Sequence, residues 1–173
     1  MDKTNFSEPT ASLVIDVADE QDGEALHILL NQCADAMAAQ GMQHWLGVYS
    51  KQAIIDNLQQ KDVYLLRRDT GLLGCVALSE NPADYYAECW PQAPAADFYL
   101  TQLAVAPYYQ SQGLGKFLVQ FCQQQIPSGK MLQLDAVAHY PALLTFYRQL
   151  GFQQIAEGIG LGDKRFLFTW SAE

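Results

Sequence analysis

The chain has 173 residues, half of them hydrophobic, with a formal net charge of −9. That length and composition suit a single folded domain with a substantial core and exclude a disordered chain. The acidic balance argues against a nucleic-acid partner, because phosphate neutralisation needs a basic face; a cationic amine is tolerated or steered in, though surplus carboxylates also serve plain solubility.

Residues 1–12 are polar and read as a flexible N-terminal tail without the apolar run of a signal peptide, leaving 13–173 as the domain. Leu13–Ala18 suits a first strand. Asp19, Glu20 and Asp22 put negative charge where a helix begins, and Leu26, Leu29, Leu30, Cys33 and Met37 form its apolar stripe. Met42–Tyr49, with His44 and Trp45, reads as a turn or linker. Ser50 then caps a second helix to about Gln60, with Ile54, Ile55 and Leu58 inward. Val63–Arg67 and Leu72–Leu78 make a hairpin around Asp69-Thr-Gly71. Residues 80–96 hold Pro82, Pro91 and Pro94 with Tyr85, Tyr86 and Trp90, the composition of a long functional loop.

Asp97–Val105 is a strand rich in aromatic and β-branched residues, and Pro107 stops its ladder. After Gly113 and Gly115 a helix begins, with Leu114, Phe117, Leu118, Phe121 and Cys122 on one face. Pro127-Ser-Gly129 leads into the strand Met131–Val137. Pro141 opens a last helix with a Leu143, Phe146, Tyr147, Leu150 stripe, and Gly151 ends it. Phe152–Ala156, a Gly-rich loop and Arg165–Trp170 read as a closing hairpin. The order β-α-α-β-β-β-α-β-α-β-β predicts an α/β (α+β) fold around a mixed, mostly antiparallel sheet of about seven strands with about four helices.

No window approaches the ~18–20 apolar residues of a membrane span, so no membrane partner is expected. The four cysteines form no Cys-x-x-Cys pair and no metal spacing with the three histidines, so no metal is expected. Cys33, Cys75 and Cys122 fall on apolar faces as small core residues, and a reduced, cytoplasmic location is the default.

The junction after Val105 carries the functional signal. Gly113 and Gly115 clear side chains from a helix start, where free amides and the helix dipole suit a phosphate. Leu118 stands where a dinucleotide fingerprint needs its third glycine, and no Gly-x4-Gly-Lys-Ser/Thr is present. The pattern Gln110-x-x-Gly113-x-Gly115 behind Leu103-x-Val105-x-Pro107 resembles the acetyl-CoA signature of the GNAT superfamily of N-acetyltransferases. Leu143-Leu144-Thr-Phe146-Tyr147 followed by Gly151-Phe152 resembles that family's C-terminal motif, and the two stand in the family's order. The likeness runs over about Leu13–Trp170, with the N-terminal third matching in element order alone.

The resemblance implies a GNAT-like sheet splayed between its fourth and fifth strands. It implies acetyl-CoA as cosubstrate, a primary amine as partner, direct transfer in a ternary complex, and an oligomeric state that admits a homodimer. The diphosphate would lie on backbone amides of Gln112, Gly113 and Gly115 within the Gln110–Lys116 turn, which includes Leu114. Lys116 would add a charge or point to solvent, and Gln110 stands where the family often has Arg. The pantetheine arm would run along Leu103, Ala104 and Val105 as an added strand does, and an amide near Leu103 would meet the thioester oxygen. Tyr147 occupies the family's position for the acid that protonates the departing thiolate, although its place on the apolar stripe also suits simple packing.

An alkyl amine of pKa near ~10.4 costs about 4–5 kcal/mol to neutralise at neutral pH. Asp135, His139, Glu88 and Asp97 are the candidate bases, with a water relay as the alternative. Where the family often places Asn before the last helix, this chain has His139-Tyr140-Pro141, so no Asn role passes to Tyr140. Substrate recognition is expected from the Met42–Tyr49 turn and the Tyr85–Trp90 loop, whose aromatics would cage a cation, with Trp45, Tyr85 and Glu88 as the candidate contacts; a core anchor is the plain reading of Trp45. Two other classes fit parts of the pattern: a non-catalytic acyl-CoA sensor on the same fold, and a module using the glycine turn for a nucleotide.

Overall fold

The computed structural model describes residues 12–173, so the expected tail lies outside the described residues except for Ser12. The first strand, β1 (Leu13–Val17), is followed by a one-turn 3-10 segment whose entry is fixed by Asp19. The Asp19 carboxylate accepts from the Gln21 amide at 2.8 Å while Asp22 accepts from the Asp19 amide at 2.9 Å. This reciprocal cap satisfies donors that a helix start leaves open. α1 (Gly23–Ala39) and α2 (Lys51–Gln60) come next, and the Ser50 hydroxyl accepts from the Ala53 amide to cap α2. Ile54 is buried and Leu58 packs against the same core as expected, but Ile55 faces solvent.

β2 (Asp62–Arg68) and β3 (Gly71–Ser79) form the expected hairpin. The stretch expected as pure loop contains one helical turn, α3 (Tyr86–Cys89). β4 (Phe98–Val105), α4 (Leu114–Gln125), β5 (Met131–Val137) and α5 (Pro141–Gln149) follow. The chain closes with β6 (Gln153–Gly160) and β7 (Asp163–Ser171). The expected Gly-rich loop is mostly strand, and its glycines answer to packing. A β-carbon on Gly158 would collide with the Cys89 carbonyl, and one on Gly160 would press on Tyr85 at 3.1 Å. Bare backbone there lets α3 lie on β6.

The seven strands form one sheet in the order β1-β2-β3-β4-β5-β7-β6. Every neighbouring pair is antiparallel except β4 and β5, which are parallel. Alternate residues divide the core between the two faces, as the two-residue strand period requires. Val63 and Leu65 join Leu26, Leu30 and Ile54 under α1 and α2. Leu66 and Val76 join Leu118, Leu134 and Phe168 under α4 and α5. On α4, Phe117 is exposed, while Leu114, Leu118, Val119 and Cys122 are buried. None of the described helices is long and apolar enough to cross a membrane.

The feature that positions the site is the parting of β4 from β5. They pair only at Phe98 with Leu132 and at Tyr99 with Gln133, and then separate. A bulge sits in β4 just past that point: Cys75 faces Ala104 while Ala77 faces Thr101, leaving one extra residue on β4. Gln102 absorbs it with φ 58°, a left-handed conformation that costs a non-glycine residue about 1–2 kcal/mol. Local bonds hold it there. The Asn57 side-chain amide donates to Gln102 Oε1 at 2.9 Å, and the Cys75 thiol donates to the Gln102 carbonyl at 3.4 Å. A bulge sharpens strand twist, and here it turns the end of β4 away from β5.

Candidate active site

The gap between the parted strands is a cavity of about 750 Å³. Its two halves are built differently.

One half is mostly backbone. Val105 ends β4, and a short turn delivers Gly113, which caps α4 in a left-handed conformation, φ 82°. No side chain caps that helix, and its first internal bond runs from the Phe117 amide to the Gly113 carbonyl. The amides of Leu114, Gly115 and Lys116 therefore lack intrahelical partners, and they carry the positive end of the α4 dipole. Gly113 and Gly115 both line the cavity, and a β-carbon on Gly113 would project into open space. Orphan donors, a favourable dipole and no covering side chain fit an anionic group such as a diphosphate. Gln110 is otherwise engaged: its side-chain amide donates to the Val105 carbonyl at 3.0 Å, tying the turn to the end of β4. Leu103, Ala104, Val105, Gln110, Leu114 and Lys116 line the cavity with the two glycines; Gln112 does not.

Tyr147 stands on the cavity wall. α5 buries it to 6 % exposure, with its ring against Phe146, Phe152 and Phe168. Its hydroxyl makes no hydrogen bond to another described residue, although Tyr147 lines the cavity. Burial first, and then the nearby Asp135 charge, hold the phenol above its usual range. It keeps its proton at any working pH.

The other half is made of side chains from separate elements: His44 and Tyr49 from the turn before α2, Tyr85 from the loop before α3, Asp135 from β5 and Arg165 from β7. Asp135 is its hub. Its carboxylate accepts from the Tyr85 hydroxyl at 2.9 Å, the Tyr86 hydroxyl at 2.9 Å and Arg165 Nη1 at 3.0 Å. The side chains of Arg165 and Asp135 are only 9 % and 7 % exposed. Burying such a pair is tolerable because these bonds occupy its lone pairs and protons. Arg165 Nε also donates to the Gly160 carbonyl at 2.8 Å, and the guanidinium lies over the Tyr85 ring at 5.3 Å. Burial raises the phenols of Tyr49, Tyr85 and Tyr86, so this wall is neutral apart from the ion pair.

Trp45 lines the cavity and packs edge-on against Tyr49 at 5.1 Å, combining wall and anchor. Other expected residues lie elsewhere. Glu88 and His139 are exposed and off the cavity. Asp97 is tied to Lys130 at 3.1 Å and to the Met131 amide at 2.9 Å. Those two bonds, the Met131 amide first, lower its pKa, and neither faces the cleft.

Sequence reading set the Met42–Tyr49 turn and the Tyr85–Trp90 loop, and with them His44, Tyr49 and Tyr86, at the substrate, but assigned no role to Arg165. A signal for it did exist. Arg165 occupies the same strand face as buried Leu167, and a charge at an inward position demands a partner. In the β5–β7 register Asp135 faces Leu167 and Val137 faces Arg165, so the two charges are diagonal neighbours.

Comparison with known proteins agrees with this geometry. Residues 59–154 match the family model described as Acetyltransferase (GNAT) domain. The chain is 29 % identical over 139 residues to an uncharacterized N-acetyltransferase, YesJ, of Bacillus subtilis, covering 77 % of each. A GNAT-family acetyltransferase structure from Streptococcus agalactiae matches with a TM-score of 0.80 at 16 % identity, over 95 % of this chain and 98 % of that one. The PaiA N-acetyltransferase of Thermoplasma acidophilum, solved with coenzyme A, matches with a TM-score of 0.67 at 17 % identity, over 92 % and 99 %.

Proposed function

The chain belongs to the GNAT acetyltransferase family, and from that premise we propose that it moves an acetyl group from acetyl-CoA directly to a primary amine, both held together in the β4–β5 cleft. One observation carries the reading: a single cavity joins the start of α4, which no side chain caps, the free edge of β4 and Tyr147.

Acetyl-CoA, when bound, supplies an activated acetyl group on a thioester. The chain's residues do the rest. The open amides of Leu114, Gly115 and Lys116 hold the diphosphate, and Lys116 lies beside them. The edge of β4 beyond the bulge, from Leu103 to Val105, offers main-chain groups that no β5 partner takes, apart from the Val105 carbonyl that Gln110 and Cys33 already occupy, and this suits an extended amide-bearing arm. An amide near Leu103 donates to the carbonyl oxygen where negative charge develops. The Tyr147 hydroxyl donates toward the departing sulfur. A phenol held above its normal range is always protonated and has no competing acceptor among the described residues.

Asp135 is the sequence-predicted base that reaches the cavity, yet Tyr85, Tyr86 and Arg165 occupy its carboxylate. It serves the reaction by fixing the acceptor wall, and the ammonium gives its proton to water.

Thiol release from acetyl-CoA, followed over a panel of primary amines, tests this reading. Amine-dependent release supports it. Acetyl-CoA binding without release for any amine would make the protein an acyl-CoA sensor.

A further inference from the structure

The acceptor half of the cavity contains a cation that acetyl transfer does not use. Arg165 is more than nine-tenths buried and lines the cavity, and its Nε and Nη1 are satisfied by Gly160 and Asp135. Nη2 makes no hydrogen bond to any described residue. Nη2 is not sealed off by the surrounding side chains, so it stays available to an acceptor in the cavity. Lys116 is the other cation on the lining, and it stands at the α4 end. A second unpartnered group lies near Arg165: His44 Nδ1 is buried with no partner among the described residues. Its ring stacks on Tyr140 at 5.5 Å, and burial, followed by the Arg165 charge, lowers its pKa. His44 Nδ1 is sealed, so the open donor at this end of the cavity is Arg165 Nη2, and it marks a place for a polar ligand atom.

Resting on the acetyl-transfer reading, we propose that the acceptor amine bears a carboxylate close to its nitrogen, and that Arg165 Nη2 binds this carboxylate so that the amine points toward Tyr147. A monoanion fits better than a phosphate ester. Asp135 already neutralises much of the guanidinium at 3.0 Å, and a dianion would add two charges beside that carboxylate. Arg165, Asp135 and Tyr147 line the same cavity, so one small molecule in it can meet both the anion site and the transfer point.

The test compares several amino acids, each against its carboxamide and its decarboxylated amine, with phosphoethanolamine as the phosphate arm. The carboxylate-bearing member should have a kcat/KM about tenfold or more above its neutral counterparts, the worth of one charge-assisted hydrogen bond. Arg165→Lys should shrink that ratio toward one, mainly through KM. A merely structural arginine would lower all substrates alike and leave the ratio unchanged. Where Arg165→Lys does not fold, the wild-type ratio still decides. Calorimetry with N-acetyl amino acids and N-acetyl amines on the wild-type protein needs no turnover, so it separates this inference from the enzyme reading. The N-acetyl amino acids should bind about tenfold tighter or more. A ratio near one, preference for the neutral or phosphate members, or no binding by any carboxylate-bearing compound would overturn the inference.

Discussion

The two halves of the cavity do comparable work with opposite materials. At the α4 end, the proposed recognition rests on main-chain amides and the edge of β4, contributed by residues 103–116, one short stretch of chain. At the acceptor end it rests on side chains from positions 44, 49, 85, 135 and 165, joined by an ion pair and two tyrosine hydroxyls. Backbone recognition tolerates many side chains but needs a particular conformation, hence Gly113 at φ 82°. Side-chain recognition needs particular residues and takes its geometry from distant folding. The first half therefore constrains the chain through its conformation, and the second through the identity of its residues.

Substitutions at each end should break one function and spare the other. Gly113→Glu should have the largest effect. Its side chain would enter open space at the α4 start and place a carboxylate at the proposed diphosphate position. Calorimetry should show acetyl-CoA affinity falling by about 100-fold or more. The added backbone strain, about 1–3 kcal/mol, leaves a typical domain folded. Tyr147→Phe should lower kcat by about 100-fold, as loss of a proton donor does, with the acetyl-CoA dissociation constant within about twofold. Unchanged turnover would reduce Tyr147 to a packing residue. A pH profile sharpens the point. Because the Tyr147 pKa is raised, the wild-type rate should climb as the amine loses its proton and show no tyrosine-linked fall up to about pH 10. Asp135→Asn should have the smallest effect on coenzyme binding, leaving acetyl-CoA affinity within about twofold. Breaking its buried pair with Arg165 should still cost about 3 kcal/mol in denaturant unfolding. A loss of acetyl-CoA affinity as large as that of Gly113→Glu would mean the two ends are not separable.

The same contrast governs what could be read without coordinates. The strand, glycine turn and helix around Gly113 were legible because each signal is local: a strand stopped by Pro107, two glycines, then a 3.6-residue stripe. The element order and the place of Tyr147 were legible for the same reason. The bulge at Gln102 was not, since it depends on Asn57 and Cys75 reaching across from α2 and β3. Gly158 and Gly160 suggested a loop because glycine usually marks one, whereas here they admit Cys89 and Tyr85 against a strand. Trp45, Tyr85 and Asp135 were named, but His139 and Glu88 were named beside them and lie off the cavity. Chain position alone does not tell which polar residues a fold turns inward. Arg165 drew no notice because its partner stands thirty positions away, across the β5–β7 ladder.

The most direct measurement is a calorimetric titration of the folded wild-type protein with acetyl-CoA. Heat that saturates at one site per chain, and disappears in Gly113→Glu, is the predicted result. A wild-type protein that takes up neither acetyl-CoA nor CoA would contradict the assignment of the β4–β5 cleft.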